Sequence, residues 1–465
     1  MSVGGTAGSN RHGRLHPVLI MLVMMLIAMA LTHVIPAGRF LTADRHVVPG
    51  TYHALAKVNG LRALLSPFPP EATDLPARAS GLVGLFVAIP AGFTKEASLI
   101  FMVMFVGGMF GVLRATGAVE AAIDRLLHVA TGNVYLIAAG LMFLLACGST
   151  FLGFISEYLA VIPLVVVLGQ RMGLPNLFAP AVVCVASMIG YAASVTNPIV
   201  LNVAQPLAGV PIFSGIVPRL AIFAVMFCVG LGHVFLYLRG LPRRHHVPDA
   251  SLLTARQVCV WAIMLLGGAA LVIGTSLWSW GTLENTASFL CISVVLAVAG
   301  GLRPAAAADA FLEGMRSLLL AAVMIGLAGG VDVILQSSQI LDTVVHGFAG
   351  MVHGHAPGAV ASGIMAGEMV FDVLIHSTSA KAAVSLPVLA PLAHLAGVSG
   401  QVSVTALTIG GGLTNMVTPT NGLLLAFLAA AKVDYIDWMR FVTLLFLVLC
   451  SIGVAALYVM IKCGL

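Results

Sequence analysis

Two short polar clusters interrupt apolar runs that would otherwise cross a membrane. Gly190-Tyr-Ala-Ala-Ser194-Val195-Thr196-Asn197-Pro198 is echoed by Gly412-Leu-Thr414-Asn415-Met-Val417-Thr418-Pro419-Thr420, with Gly190 and Gly412 222 residues apart, and the same spacing carries Glu120 onto Asp342. A broken apolar helix exposes carbonyls and N–H groups that must face protein or a wet cavity, where they can replace the water around a small cation or hold a carboxylate. Gly148-Ser149-Thr150 and His376-Ser377-Thr378-Ser379 are a second polar pair and read as tips of re-entrant hairpins. The candidate substrate ligands are therefore Ser149, Thr150, Thr196, Asn197, Ser377, Thr378, Ser379, Thr418 and Asn421, with Asn197, Thr414 and Asn415 as ligands for a coupling ion, sodium or a proton. The competing role for each is to cap a half-helix or bond between spans.

Ionisable residues at membrane depth are costly and so informative. Glu157 follows the first tip by about two turns and is a further coupling-ion candidate, and Lys381 closely follows the second tip. Glu368 and Asp372 are four apart and share one helical face. Either Glu157, Lys381 and the acidic pair neutralise one another, or Lys381 anchors an anionic substrate, or Glu157 anchors a cationic one. Asp332 sits too near a span end to weigh heavily, and Arg219 reads as an interfacial start of a span.

These residues must be held by an all-α polytopic membrane protein. The 465-residue chain is 60% hydrophobic and 8% charged, too few polar groups to cover a soluble fold. Residues 17–35 read as a retained first span, and 39–96 as an extracytoplasmic loop with an interfacial piece from Leu82 to Pro90. With the N-terminus cytoplasmic, spans near 17–36, 97–114, 177–207 and 219–239 return the chain inside at Arg239-Gly-Leu-Pro-Arg243-Arg244, where the positive-inside rule wants it. The arms 132–147 and 151–170 form the first hairpin, since the first arm falls short of a roughly 30 Å core. Spans near 257–277, 285–302 and 317–336 put the second hairpin, with arms 357–375 and 380–396, on the opposite face. The resulting division is residues 1–96 as N-terminal span and extracytoplasmic segment, 97–240 as repeat 1 (tip 148–150, break 194–198), 241–316 as basic cytoplasmic loop and linker spans, and 317–465 as repeat 2 (tip 376–379, break 413–421). The amphipathic stretches agree, because 114–131 carries Arg114, Arg125 and His128 whereas 337–356 has no lysine or arginine. Two inverted repeats of this kind describe a secondary carrier, with a small molecule as cargo and lipid as surroundings.

The chain resembles the anaerobic four-carbon dicarboxylate carrier family of the ion-transporter superfamily, and particularly a branch whose members are proposed to exchange basic amino acids. Pro36-Ala-Gly-Arg-Phe40, Val48-Pro-Gly-Thr-Tyr-His53, Thr196-Asn197-Pro198, Ala204-Gln205-Pro-Leu-Ala-Gly209 and Leu413-Thr414-Asn415-Met-Val-Thr418-Pro419-Thr420-Asn421-Gly422 carry the likeness over nearly the whole length. It implies an elevator-type carrier in a cell inner membrane, with inverted repeats, a scaffold, a mobile transport unit, coupling to sodium or protons, and cargo of small organic anions or amino acids. Gln205 joins the candidate substrate ligands on this basis. The second tip departs from the branch's usual Pro-Ser-Gly-Ser-Gly-Gln, reading His376-Ser377-Thr378-Ser379-Ala380-Lys381, and Gly329 stands where an arginine is common. The added lysine favours a carboxylate-bearing substrate of C4-dicarboxylate type, with arginine/ornithine-type exchange as the alternative.

Other classes fit less well. No Gly-x-Ser-x-Gly, His-Glu-x-x-His or P-loop pattern appears, so neither an enzyme nor an ATP-driven pump is expected. A channel would not need hairpins on opposing faces. The seven cysteines are scattered with no Cys-x-x-Cys pair, which indicates neither a disulfide framework nor a metal site, and no cofactor is expected. The net charge of +5 lies in short loops rather than on a continuous basic face, so nucleic acid is not a partner, and a homodimer is compatible with the composition.

Overall fold

The computed structural model describes residues 17–43, 46–48, 50–58, 77–129, 132–241, 253–278, 280–352, 354–375 and 377–465. Helix α1 (Pro17–Val34) leads to short strand pairs, Gly38–Arg39 with His53–Ala54 and Thr42–Ala43 with His46–Val47. A first series of helices follows: α2 (Leu82–Lys95), α3 (Ala97–Ala115), α4 (Ala118–Val129), α5 (Val134–Cys147), α6 (Ile162–Arg171), α7 (Phe178–Ala193), α8 (Pro198–Leu207) and α9 (Ile216–Arg239). After α10 (Ala255–Leu277) and α11 (Thr282–Ala299) the series recurs as α12 (Pro304–Ser317), α13 (Leu319–Ser337), α14 (Leu341–Val352), α15 (Pro357–Leu374), α16 (Thr378–Leu395), α17 (Gly400–Thr414), α18 (Gly422–Ala431) and α19 (Tyr435–Lys462). The starts of α2, α3 and α7 recur at α12, α13 and α17 with the 222-residue spacing seen between the polar clusters. Nine helical stretches among the described residues are long and apolar enough to cross a membrane.

Much of the packing repeats along with the order. Helix α2 lies on α13 while its counterpart α12 lies on α3, α5 and α15 pack on α7 and α17, and α7 crosses α17. Gly107 meets Gly314, Gly111 meets Ala310, and Thr116 meets Gly300, so α12 recedes as α3 advances and the two helices are antiparallel. Single residues with near-helical dihedrals, Glu96 (φ −94°, ψ 11°) and Leu318 (φ −103°, ψ 7°), join α2 to α3 and α12 to α13.

The contacts divide the helices into two bodies. Helices α1–α3 and α11–α13 pack mainly among themselves, and α5–α9 with α15–α19 form the other group. The bodies meet chiefly where α18 docks on α13 and where a 3-10 segment, Ser156–Ala160, touches α3. Small residues make the first junction tight, since a Cβ on Gly422 would lie 2.8 Å from the Ala328 Cβ.

Several expectations change. Residues 82–95 are not an interfacial piece of a loop but helix α2, which runs straight towards α3, with Pro90 accommodated inside it. The helical series with the 222-residue recurrence accordingly includes the helices starting at Leu82 and Pro304. The first arm of hairpin 1 does not stop at Cys147, because a π turn at Gly148–Leu152 extends it. At 19 residues and 1.5 Å each it spans about 28 Å, so the argument from shortness does not hold for it. Asp332 is also not peripheral: it lies buried in α13, bonded to Lys95 of α2 and to Gln336. Arg219, read as interfacial, is fully buried in the first turn of α9.

Candidate functional site

Both breaks form as the clusters suggest. Helix α7 ends where Ser194 turns left-handed (φ 40°, ψ 56°), and α8 restarts with Pro198 at its first position, where a missing N–H costs nothing. In the second copy α17 ends at Thr414 and α18 restarts at Gly422. The helices before the breaks cross at Gly412, where a Cβ would come within 2.5–2.8 Å of Ala192, so the two breaks lie side by side.

Each hairpin is stitched to the break of its own copy. The Thr196 hydroxyl donates to the Phe151 carbonyl (3.1 Å) and the Thr420 hydroxyl to the Val373 carbonyl (3.0 Å), acceptors related by the 222 spacing. In the first copy Thr150 accepts the Val195 N–H on its hydroxyl (3.1 Å) and the Thr196 N–H on its carbonyl (3.2 Å), while Ser149 donates to the Ser187 carbonyl (2.7 Å). Ser149 and Thr150 thus sit in the last turn of the arm, buried, and not in the connecting tip. The chain reverses after Gly153, whose φ of +81° needs glycine and where a Cβ would collide with the Asn197 Oδ1.

The two asparagine caps correspond at Asn197 and Asn421, not at Asn197 and Asn415. Asn197 accepts the Ile199 N–H (3.1 Å) and donates to Ser194, and Asn421 accepts from Leu423 (3.0 Å) and Leu424 (3.3 Å). Two extra residues in the second break shift the correspondence. Asn421 also donates to the Asn415 side-chain oxygen (2.7 Å), Thr418 bonds Thr420 (2.7 Å), and Thr414 donates back to the Gly410 carbonyl (2.8 Å). Thr196, Asn415, Glu157 and Thr378 are half-buried and Ser377 is exposed, whereas Asn197, Thr414, Thr418 and Asn421 are buried. Ser379 falls in the first turn of α16, and His376 lies outside the described residues.

The second hairpin reaches the first copy through a residue the sequence reading passed over. The Tyr191 hydroxyl bonds the Thr378 hydroxyl at 2.5 Å, tying the start of α16 to the helix that precedes the first break. A phenol in the otherwise apolar Gly190-Tyr191-Ala-Ala run was the available signal. Gln205 does not join this group. It accepts the Phe213 N–H (2.6 Å) and donates to the Ser214 carbonyl (3.0 Å) and towards Gln401, fastening the α8–α9 loop onto the start of α17.

The ionisable residues sort themselves differently from either simple scheme. Lys381 donates to Asp372 at 2.6 Å with both side chains 1% exposed, so its charge is spent inside the hairpin instead of facing the tip. Gly410 and Gly411 of α17 leave the room, since Cβ atoms there would run into Glu368 and Lys381. Glu157 takes no part in this cluster. It lies just past the first tip, accepts the Ile155 N–H (3.2 Å), and makes no ion pair among the described residues. A cavity of about 680 Å³ lies elsewhere, between His233, Tyr237, Lys432, Asp434, Asp437 and Arg440, away from both breaks.

Paired helix breaks, each stitched to a hairpin and set side by side within a bundle of apolar helices, define a polytopic membrane transporter. The chain belongs to the C4-dicarboxylate anaerobic carrier family, whose model matches residues 16–462. It is 27% identical over 376 residues, 75% of this chain and 74% of the relative, to an Escherichia coli (strain K12) protein named "Putative basic amino acid antiporter YfcC". An uncharacterized Haemophilus influenzae (strain Rd) protein is 24% identical, covering 91% of this chain and 92% of its own. Among solved structures, the Alcanivorax borkumensis YdaH transporter gives a TM-score of 0.44 at 19% identity (97% of this chain, 99% of that one). Neisseria gonorrhoeae MtrF, described as illuminating a class of antimetabolite efflux pumps, gives 0.43 at 18% (96% and 95%).

Proposed function

We propose that this transporter is an alternating-access exchanger of basic amino acids in the inner membrane, its two copies inverted across the bilayer and its N-terminus cytoplasmic. The observation that carries the substrate class is the placement of charge at the hairpins. Lys381 is sealed by Asp372, whereas Glu157 stands half-buried beside the first tip with no cation bonded to it among the described residues, so the site offers an anion to the substrate's cationic end. The hydroxyls of Thr196, Ser377 and Thr378 and the N-terminal ends of α8 and α18 are the partners for its carboxylate. The relative named for basic amino acid antiport supports this reading. The family's description favours a second, a C4-dicarboxylate held by the same neutral donors, for which Glu157 would be a hindrance.

Counterflow in proteoliposomes separates the two. Internal arginine or ornithine is expected to drive uptake of labelled arginine, internal succinate or fumarate is not, and Glu157→Gln should abolish the arginine signal while leaving the protein folded. Succinate counterflow, undiminished in Glu157→Gln, would establish the dicarboxylate reading instead. Counterflow of either kind excludes a channel.

The mechanism rests on one-sided docking. Helix α18 is docked on α13, but its counterpart α8 packs on α16 and not on the corresponding α3. In the opposite-facing state the copies exchange roles, bringing Pro198 to Val106 as Gly422 now meets Ala328, by the 222 spacing in α3/α13 and the cap correspondence in α8/α18. In a cysteine-free background, Gly422→Cys with Ala328→Cys should form a disulfide that stops transport, and Val106→Cys with Pro198→Cys should cross-link only during turnover. A Val106–Pro198 pair that never links in a transporting protein would rule out this exchange.

A further inference from the structure

The cluster inside the second hairpin has one positive charge for two carboxylates. Asp372 uses one oxygen on Lys381, and its other oxygen has no partner among the described residues. Glu368, one turn away on α15 and 0% exposed, has no hydrogen-bond partner among them for either oxygen. The Ser385 hydroxyl of α16 lies beside it without making a bond of normal geometry. If all three groups were ionised, the hairpin would carry an uncompensated negative charge sealed from water, a cost of several kcal/mol by rough estimate.

Among the described residues no other group supplies the missing charge. Helix α17, which packs along α15, contains no titratable residue. Helix α19 brings Cys450 and Tyr458 to its middle and end, and its charged residues Asp437, Arg440 and Lys462 are at its two termini. On α14, Asp342 accepts the Phe40 N–H and His346 stacks on Tyr52 with ring centroids 4.1 Å apart. Asp332 of α13 is held by Lys95, and His394 lies in the last turn of α16. Helix α8, packed on α16, has no titratable residue, the strand His46–Val47 also packs on α16, and the Tyr191 phenol faces Asp372 without adding positive charge. Among the described residues Lys381 is the one cation at the two acids, and it is already bonded to one.

We propose that Glu368 is a proton-carrying site of the transport unit, deepening the carrier reading above and resting on it. The Glu368 carboxylate takes a proton from water on one side, forming the neutral acid, and the cluster then crosses with Asp372⁻ and Lys381⁺ balanced. Release of that proton on the other side restores the carboxylate. Substrate movement is thereby tied to proton movement rather than to a sodium ion at the asparagine-bearing breaks.

Infrared difference spectra of the purified protein between acid and alkaline pH test the site without any substrate. Wild type should lose a carboxylic-acid C=O band on alkalinisation, Glu157→Gln should lose it too, and Glu368→Gln should lack it. Glu368→Asp should shift the band, which keeps the assignment testable where Glu368→Gln does not fold. Absence of the band from wild type, its persistence in Glu368→Gln, or its removal from wild type by sodium chloride at constant pH would overturn the proposal. In proteoliposomes, Glu368→Gln should retain arginine counterflow and lose uptake driven by a pH gradient alone. Gradient-driven uptake equal to wild type would overturn it as well. A protein that shows the infrared signature but exchanges no arginine would refute the substrate class and leave the proton site standing.

Discussion

Replacing Lys381 with methionine is expected to eliminate most folded protein, while replacing Lys381 and Asp372 together with apolar residues restores it. Among the described residues the ammonium is the sole cation facing two buried carboxylates, and three of their four oxygens already lack a partner. Removing it leaves Asp372 with none, and breaking a buried pair from one side costs about 3–5 kcal/mol. That is a large fraction of a typical folding free energy of about 5–15 kcal/mol. Lys381→Met/Asp372→Leu removes both members of the pair, a change that is often neutral or stabilising. Monodisperse yield and thermal unfolding in detergent check both variants. Lys381→Met folding with wild-type stability while losing counterflow would instead make Lys381 a substrate anchor.

The same cluster shows what could be read from the chain and what could not. The four-residue spacing of Glu368 and Asp372 places them on one face, and Lys381 follows in the next arm, so a local neutralising group was legible. That Glu157 stays out of it was not, because the tip between the arms decides where each points. Gly148 looked like the turning point, yet Phe151 and Leu152 continue the arm, and the reversal falls to Gly153, whose positive φ leaves no mark in composition. The breaks were legible because proline and glycine act within a few residues of themselves. Their correspondence drifted, since two added residues in the second break move the cap from position 419, where the 222 spacing puts it, to Asn421. Lys95 and Asp332 are 237 positions apart, and no local spacing links them. Helix α2 was hidden for a related reason: Pro90, Lys95 and Glu96 look like a loop until α13 supplies the packing surface and the carboxylate.

That surface carries the last prediction. Gly92 of α2 lies against the backbone of α13, where a Cβ would come to 2.5 Å from the Gly326 carbonyl oxygen and 2.7 Å from the Gly329 carbonyl carbon, besides striking the Gly330 nitrogen. Gly314 of α12 occupies the equivalent place on α3, where a Cβ would strike the Gly107 carbonyl oxygen and lie 3.0 Å from the Gly111 Cα. Adding 222 to 92 gives 314, and adding it to 107 gives 329, so these are one contact made twice. Close approach of backbones through small residues is how membrane helices associate where no water is expelled. Backbone cannot swing aside as a side chain can, so even a methyl group must part the helices, and overpacking of this kind costs about 1–3 kcal/mol or more. Gly92→Val and Gly314→Val should therefore each cut monodisperse yield sharply and to a similar extent. Gly140→Val in α5 and Gly232→Val in α9, whose added Cβ atoms meet nothing within 4 Å, should leave it unchanged. Both members failing alike would mean that the scaffold is held by a duplicated contact of equal weight. Loss confined to one member, with the other tolerated, would show that the two copies no longer share that burden and that the symmetry of the packing does not extend to its energetics.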